Sequence, residues 1–266
     1  MTPTIGVFDS GLGGLTVLKE IHRQLPGTSV LYLADTANVP YGDKPIEVVR
    51  DLALQLSDHL VAVGVRLIIM ASGTSTAAGL EAAQVRYPNL PIVGTIAPGA
   101  RAALSNTRGP IGVIATSATV QSLAFTQAVH ALEPIRQVFE LGCPAFVPLV
   151  ESGNAESMEA ETAAFEYLQP LRQAGVKTII LGCTHFPFLL PALHRAICRI
   201  GDPEFRPRFI DPSEEAVRDA ARLLPPLPAT ASGPSIFAAS SDPETFGRHA
   251  SALLGETILN VEWLTL

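Results

Sequence analysis

Short apolar runs alternate with longer amphipathic segments along this chain, and that alternation is what most constrains its fold. Several of the runs are continuous in Val, Ile and Leu rather than alternating with polar residues. Continuous runs are typical of parallel strands that are covered on both faces. They predict strands at residues 4–8, 29–33, 66–71, 91–94, 110–115, 135–140, 177–181, 207–210 and 234–238.

Helix-length segments separate these runs. They predict helices at residues 14–24, 45–63, 76–87, 118–132, 155–174, 187–199 and 213–223. Strand–helix alternation of this kind predicts an α/β fold with mostly parallel sheets. Ligands of such sheets bind beyond the carboxyl ends of the strands, so the loops that follow strands are the candidate functional segments. Residues 224–233 are rich in proline, which predicts a surface connection rather than a functional motif.

The chain repeats itself weakly. IGVFDS at residues 5–10 resembles IGVIAT at 111–116, an offset of 106 (111 − 5), and LIIMASGT at 67–74 resembles TIILGCTH at 178–185, an offset of 111 (178 − 67). Either match alone is compatible with chance because apolar strands look alike. Two matches in the same order and at similar offsets indicate two related α/β halves.

Duplication of this kind predicts two similar domains related by a pseudo-twofold axis, with the active site in the cleft between them. We expect residues 1–96 and 209–266 to form the first domain and residues 97–208 the second, so that the chain crosses twice. The repeat aligns Ser72 with Cys183, which predicts that the loops holding them face each other across the cleft.

Composition narrows the function classes. Apolar residues make up 47% of the 266 residues and charged residues 16%, which is typical of a globular protein. The net charge is −7 and there is no basic run, so we expect no nucleic-acid partner. No stretch is apolar enough to span a bilayer, and the N-terminus does not look like a signal peptide, so we expect no membrane partner and a cytoplasmic location.

Cys183 carries the strongest chemical signal among the three cysteines. It follows a predicted strand in LGCTHFPFL, with His185 two residues on and Pro187 placed to open the next helix. A thiol near a helix N-terminus and an imidazole can have a lowered pKa, which makes it a candidate nucleophile or base. The alternative is a small buried cysteine beside a surface histidine. Cys198 lies in an apolar helical pattern (LPALHRAIC), and we expect it to be buried and, like Cys143, comparatively inert.

The glycine-rich segment FDSGLGGLTVLKEI is a second candidate site. Asp9 and Ser10 end the first predicted strand and a glycine turn leads into a helix, so backbone N–H groups there could receive an anion. The segment lacks the Gly-Lys-Ser/Thr ending of a phosphate-binding P-loop and does not match GxGxxG. A tight strand–helix turn with Asp9 as a cap explains it equally well.

Three further segments follow predicted strands. ADTANVPYGDKP holds Asp35 and a stiff Pro40-Tyr41-Gly42 turn, ATSAT offers hydroxyls at a helix start, and CPAFVPLVESG places Glu151 near a helix start. Turns and helix caps explain these segments at least as well as a binding site does.

Two cofactor classes can be set aside. Pyridoxal phosphate needs a Schiff-base lysine, and none of Lys19, Lys44 and Lys177 sits in a suitable strand-end loop. A zinc site needs spaced Cys/His pairs, whereas Cys183 and His185 are isolated. We therefore expect no metal and no organic cofactor.

Taken together, six segments resemble the cofactor-independent glutamate racemases of the aspartate/glutamate racemase superfamily. They are FDSGLGGLTVL, YLADTANVPYG, PIVGTIAPGARAAL, IGVIATSATVQS, CPAFVPLVESG and LGCTHFPFLLPAL, and they cover nearly the whole chain in the family's order. The resemblance implies two similar α/β domains that enclose one glutamate. It implies two cysteines on opposite sides of the α-carbon, one removing the proton and one returning it, which supplies D-glutamate for peptidoglycan. It also implies a homodimer.

Residue by residue, the resemblance implies a catalytic set and a substrate-binding set. Cys183 would be one base, Ser72 occupies the position of the other, and Asp9, His185 and Glu151 would assist. The residues implied to bind the substrate are Asp9, Ser10, Pro40, Tyr41, Gly42, Gly73, Thr74, Thr116, Thr119, Thr184 and His185.

The sequence departs from the family where Ala71-Ser72-Gly73-Thr74 stands in place of Ala-Cys-Asn-Thr. Serine replaces the first catalytic cysteine, and glycine replaces the substrate-binding asparagine. A cysteine thiol has a pKa of about 8.5, whereas an alcohol ionises many units higher and is a poor base unless it is activated. Ser72 has no evident activator except Asp9. Since each tenfold in rate is about 1.4 kcal/mol of barrier, loss of one of two bases predicts impaired racemisation.

Three interpretations stay open on sequence alone. The first is a glutamate racemase with weak or lost turnover. The second is a one-cysteine enzyme of the same superfamily that uses Cys183 for one-sided proton delivery, as the arylmalonate decarboxylases do. The third is a protein that binds glutamate or a protein partner without catalysis. The DSGLGG, VPYG and GCTH motifs favour the first.

Overall fold

The strands form two parallel sheets, as a computed structural model that describes residues 3–224, 233–258 and 260–266 shows. In chain order the described strands are β1 (Ile5–Asp9), β2 (Val30–Ala34), β3 (Leu67–Met70), β4 (Ile92–Val93), β5 (Ile111–Ala115), β6 (Val138–Gly142), β7 (Thr178–Leu181), β8 (Arg208–Ile210), β9 (Ile236–Ala239) and β10 (Val261–Trp263). The larger sheet has the order β10–β9–β2–β1–β3–β4, and the smaller sheet has the order β6–β5–β7–β8. The predicted α/β class with mostly parallel sheets is confirmed.

Helices connect the strands. In chain order the described helices are α1 (Leu15–Gln24), α2 (Ile46–Val63), α3 (Gly73–Arg86), α4 (Ile96–Asn106), α5 (Ser117–Ser122), α6 (Ala124–His130), α7 (Phe146–Glu151), α8 (Met158–Gln173), α9 (Leu190–Ile200), α10 (Pro212–Leu223) and α11 (Pro243–Leu254). Short 3₁₀ helices cover Thr36–Asn38, Tyr41–Asp43 and Phe186–Leu189. None of the helices in the described residues is both long enough and apolar enough to cross a membrane.

The two sheets repeat one pattern of strands. The order β2–β1–β3–β4 in the larger sheet corresponds to β6–β5–β7–β8 in the smaller one. The register repeats as well, because Ile5 lies opposite Leu67 in the larger sheet and Ile111 lies opposite Thr178 in the smaller sheet. The strands that correspond in this way contain the segments that resemble each other in the sequence. Each sequence repeat therefore covers equivalent strands of the two halves.

Strand pairing and packing bear on where the division between the halves lies. β8 pairs with β7, so the expected boundary between residues 208 and 209 falls inside a strand of the smaller sheet. Ile96, at the start of α4, packs in the same apolar cluster as Ile111 of the smaller sheet. We therefore propose that the smaller domain comprises residues 96–210.

Both faces of each sheet are buried, which explains the continuous apolar runs. In β1, Ile5 and Phe8 are fully buried in different apolar clusters. They are an odd number of positions apart, and the side chains of a strand alternate between its two faces. In β7, Ile179 and Ile180 divide between two clusters in the same way.

Several element boundaries differ from those predicted. α3 begins at Gly73 rather than at residue 76, so residues 73–75, which were predicted to precede the helix, belong to its first turn. The predicted helix at 118–132 is two helices, because Leu123 takes a left-handed conformation with φ of 54° between α5 and α6. Glu151 ends α7 rather than lying near a helix start. The Pro-rich segment predicted as a surface connection lies mostly outside the described residues.

Candidate active site

The loops that follow the strands of the two sheets meet each other. Thr184, after β7 in the smaller half, donates a hydrogen bond of 2.9 Å from its hydroxyl to Asp9 Oδ2, at the end of β1 in the larger half. The hydroxyls of Thr74, after β3, and Thr116, after β5, lie 2.9 Å apart. The carboxyl ends of strands from both halves therefore face one shared region, where the sequence repeats placed the cleft.

Cys183 belongs to a chain of three polar side chains in the smaller half. Its Sγ lies 3.7 Å from His185 Nδ1, and the other ring nitrogen, Nε2, lies 2.6 Å from Glu151 Oε1. Cys183 is 7% exposed and His185 is 2% exposed. Glu151 Oε1 also accepts a hydrogen bond of 3.3 Å from the amide of Leu12, so this series of connected side chains ends at the glycine-rich loop of the larger half.

His185 and Glu151 shift each other's pKa values in opposite directions. Burial acts to lower the pKa of His185, but hydrogen bonds to Cys183 and Glu151 and their negative charges outweigh it and raise that pKa well above its ordinary value. Burial acts to raise the pKa of Glu151, but the hydrogen bond and charge of His185 hold it below its ordinary value. The hydrogen bonds on both sides of the ring therefore favour the protonated form of His185, held between the Cys183 sulfur and the Glu151 carboxylate.

Asp9 is buried at the junction of the halves. Its Oδ1 accepts a hydrogen bond of 3.0 Å from the amide of Gly11, and Ser10 Oγ lies 3.5 Å from the same oxygen. Burial raises the pKa of Asp9, although the charge of His185 and the hydrogen bonds from Gly11 and Thr184 act in the opposite direction. Asp9 thus links the loops after β1 and β7.

Ser72 caps helix α3. Its Oγ accepts a hydrogen bond of 3.2 Å from the amide of Ser75, and the residue is 6% exposed. Asp9, which the sequence left as its one evident activator, directs its carboxylate oxygens to Gly11 and Thr184 instead. The structure places an alcohol bound to a backbone amide where the resemblance implies a thiol base.

Three threonine hydroxyls form a triangle across the two halves. Thr74 Oγ1 lies 2.9 Å from Thr116 Oγ1 and 3.2 Å from Thr119 Oγ1, and the last two lie 2.9 Å apart. Thr116 also caps α5 by accepting from the amide of Thr119. All three were expected to bind the substrate, and the structure brings them together.

Four glycines of the larger half lie directly against the smaller half. A Cβ at Gly11 would come within 2.8 Å of the Glu151 carboxylate, and one at Gly42 within 2.7 Å of the Thr116 side chain. A Cβ at Gly13 would collide with the side chains of Thr184 and His185, and one at Gly73 with the carbonyl oxygen of Gly182. The absence of side chains at these positions is what permits the halves to approach so closely.

The loop of residues 35–43 forms one wall of the region. The peptide bond before Pro40 is cis, and Tyr41 donates a hydrogen bond of 2.6 Å to Asp35 Oδ2. Burial, followed by the negative charge and hydrogen bond of Asp35, raises the pKa of the Tyr41 hydroxyl far above its ordinary value. Gly42 follows and packs against Thr116. Asp35 is fully buried beneath this loop and orients Tyr41 rather than facing the Cys183 chain.

Sequence reasoning missed the residues that hold these loops in place. Ser240, after β9, donates a hydrogen bond of 2.7 Å to Asp35 Oδ1. The Lys19 ammonium lies 5.7 Å from the centre of the Phe188 ring, a cation–π contact between the halves. No local signal marks these residues, because their partners are distant in sequence.

The cysteines differ from the sequence expectation at one position. Cys198 is exposed, not buried as its apolar helical pattern predicted, because it falls on the outer face of α9. Cys143 is fully buried, and that burial, together with the nearby Cys183, raises its pKa far above the ordinary value. No group of three or more His, Cys, Asp or Glu side chains within the described residues could hold a metal ion.

Comparison with known proteins identifies the family. The family model for Asp/Glu/Hydantoin racemase matches residues 5–220. The chain is 42% identical to glutamate racemase from Microcystis aeruginosa, covering 94% of this chain and 87% of that protein. It is 41% identical to glutamate racemase from Corynebacterium diphtheriae, covering 97% and 96%.

Solved structures give the same result. Glutamate racemase isoform RacE1 from Bacillus anthracis superposes with a TM-score of 0.89 at 32% identity, covering 99% of this chain and 98% of that one. Glutamate racemase from Francisella tularensis in complex with D-glutamate superposes with a TM-score of 0.87 at 28% identity, with the same coverage. The chain belongs to the Asp/Glu/Hydantoin racemase family, and the relatives that it matches along most of its length are glutamate racemases.

Proposed function

We propose that this protein is a glutamate racemase in its fold and substrate, with strongly unequal bases on the two sides of its site. Cys183 carries proton transfer on one face of the α-carbon, and Ser72 on the other face is a poor base. The observation that carries the proposal is the chain Cys183–His185–Glu151, with distances of 3.7 and 2.6 Å, set against a Ser72 hydroxyl that is bound to the amide of Ser75.

Cys183 has the surroundings that a thiolate base requires. When protonated, the His185 ring beside its sulfur is an imidazolium, and Glu151 holds that ring in place from the other side. The same imidazolium can supply the positive charge that favours removal of the weakly acidic α-proton. The Ser72 hydroxyl has a pKa too high for it to act as a base near neutral pH. Its hydrogen-bond partner, the amide of Ser75, carries no charge.

The substrate carboxylates would bind to hydroxyls and backbone amides. The triangle of Thr74, Thr116 and Thr119 lies where α3 and α5 begin, so hydroxyl and amide donors converge there. The N-terminus of a helix favours a bound anion through its free N–H groups and its dipole. Thr184 and the amides of the glycine-rich loop would bind the opposite end of the amino acid.

Deuterium exchange tests this proposal. In D₂O, we expect the wild-type protein to exchange the α-proton of one glutamate enantiomer faster than it inverts either enantiomer, because Cys183 takes and returns a proton on one face. By family analogy that enantiomer is L-glutamate. Proton NMR follows the exchange and circular dichroism follows the inversion. Cys183→Ala should abolish both.

Three outcomes would overturn the assignment. Exchange that survives Cys183→Ala would show that another group is the base. Binding of glutamate without exchange in the wild type would indicate a binding protein. Release of CO₂ from a malonate derivative, with no exchange of glutamate, would indicate the decarboxylase-like alternative.

The cellular setting is part of the proposal. The protein acts in the cytoplasm, as a homodimer, and its product D-glutamate enters peptidoglycan. The family resemblance supports each of these statements. Growth of a D-glutamate auxotroph on the wild-type gene and on its Ser72→Cys variant tests the product, and sedimentation equilibrium tests the dimer.

A further inference from the structure

The contact between Gly73 and Gly182 differs from the other glycine contacts of the site. At Gly11, Gly13 and Gly42 the atoms that a Cβ would meet belong to side chains, which can rotate away. At Gly73 the nearest atom is a backbone carbonyl oxygen, at a separation that real Cβ atoms essentially never show. Accommodating a side chain there requires the backbone of one half to move relative to the other.

The residues next to these two glycines are the ones on which the proposed chemistry depends. Ser72 precedes Gly73, and Cys183 follows Gly182. Gly182 is itself fixed, because its amide donates a hydrogen bond of 2.7 Å to the Ile114 carbonyl, and a Cβ on it would meet Phe125 at 2.8 Å. The carbonyl that faces Gly73 therefore belongs to a rigid part of the smaller half, and relief must come from separation of the halves.

Polar groups along the same junction are already paired with each other. The hydroxyl triangle joins Thr74 to Thr116 and Thr119, and Thr184 bonds to Asp9. A substrate that uses these donors must replace contacts that the halves make with one another. Both the backbone contact and the hydrogen bonds point to a site that must open before it binds.

We propose that Gly73 is a positioning residue that sets how far the two halves close. Without a side chain at this position, the start of α3 reaches the loop after β7, and Cys183 is shut in behind it. The asparagine of the family motif would not fit this degree of closure. The inference rests on the proposed function only in taking the junction as the substrate site.

Thiol labelling measures the closure directly. In a Cys198→Ser background, which removes the exposed thiol, iodoacetamide reports on Cys183 alone as long as the fold stays intact, because Cys143 is fully buried. We expect Gly73→Asn to raise the labelling rate of Cys183 several-fold, because the added side chain holds the halves apart. Mass spectrometry of peptides assigns the label to each cysteine.

Three further variants make the result specific. Gly73→Ala adds only the Cβ and should give a smaller rise, which covers the case in which Gly73→Asn does not fold. Thr74→Val removes two hydrogen bonds across the junction without adding an atom at the Gly182 contact, and it should also raise the rate. Gly109→Asn is the matched control, because a Cβ there meets nothing closer than 3.5 Å, and it should leave the rate unchanged.

The proposal fails if Cys183 labels at the wild-type rate in a folded Gly73→Asn or Gly73→Ala variant. It also fails if Cys143 and Cys183 gain reactivity together, because that pattern reports unfolding of the smaller half rather than separation of the halves. The labelling needs no substrate. Its outcome is therefore independent of whether glutamate is exchanged, and the two proposals can fail separately.

Discussion

At the residue scale, the proposed chemistry depends on the contact between His185 and Glu151. Folding raises the pKa of His185 and lowers that of Glu151. A raised histidine pKa contributes stability that is fully present below the unfolded value of 6.5 and is lost as the pH rises through the folded value. A lowered carboxylate pKa contributes stability that is present above the unfolded value of 4.5 and is lost as the pH falls through the folded value. The pair therefore stabilises the fold most between pH 4.5 and pH 6.5, the two unfolded pKa values.

Glu151→Gln tests this charge pairing. We expect the variant to lose on the order of 2 kcal/mol near pH 6, because glutamine keeps an acceptor oxygen but removes the negative charge that strengthens the hydrogen bond to His185 in a largely buried site. The loss should shrink as the pH rises through the folded pKa of His185. Thermal melts across this range measure it. Glu244→Gln, which breaks the exposed pair with Arg248, is the control, and a loss at Glu151 that does not change with pH would contradict the assignment.

The candidate site could be anticipated only in part from the sequence. Cys183 and His185 lie two residues apart after a strand, so a local pattern was enough to connect them. Glu151 lies 34 residues from His185, and Asp9 lies 175 residues from Thr184, so only the fold shows that they touch. The resemblance named these residues, but the geometry assigned their partners.

At the scale of elements, the substitution that most affects the chemistry also affects a helix. Ser72 caps α3 through the amide of Ser75, and serine is among the best N-cap residues because its hydroxyl accepts a short hydrogen bond. A thiol is a much weaker acceptor. We therefore expect serine at this position to stabilise the helix start and to be a poorer base than cysteine.

Ser72→Ala measures the cap. We expect a loss of about 0.5–2 kcal/mol in the free energy of unfolding, because one amide of the first turn is left without its acceptor. Urea denaturation determines the value. Ser157→Ala provides the comparison, since Ser157 caps α8 through the amide of Ala160 at 3.1 Å. If Ser157→Ala is destabilising and Ser72→Ala is neutral, Ser72 does not act as a cap.

Two of the helices that sequence reasoning missed share a physical cause. α4 begins IAPGARAAL and α7 reads FVPLVE, so proline and glycine, which usually mark turns, lie inside short helices. Burial against the smaller sheet stabilises these helices despite that composition, as Ala100 and Val150 are buried. Strands were easier to predict, because a strand buried on both faces has to be apolar throughout.

At the scale of the whole molecule, the repeated strand order explains why two unlike residues occupy equivalent places. Ser72 follows β3 and Cys183 follows β7, and these strands hold the same position in their sheets. Racemisation needs a proton donor or acceptor on each face of one carbon, and two facing halves of similar topology provide such positions. Here the positions are equivalent, and we propose that their chemistry is not.

The contact between the halves affects how the missing base should be restored. Replacing both Ser72 and Gly73 by the family's cysteine and asparagine adds a side chain against the Gly182 carbonyl. Ser72→Cys alone changes one atom and leaves that contact as it is. The single substitution is therefore the cleaner test of the unequal bases.

The most direct measurement is the rate of glutamate racemisation by the wild type and by Ser72→Cys, followed by circular dichroism from each enantiomer. Restoring a competent second base should raise the rate by about 10²–10⁴-fold, the usual contribution of a general acid or base. Adding Cys183→Ala to Ser72→Cys should remove the gain, because both thiols are then required. Equal rates in the wild type and Ser72→Cys would contradict the account, since Ser72 would then be either an adequate base or irrelevant to the reaction.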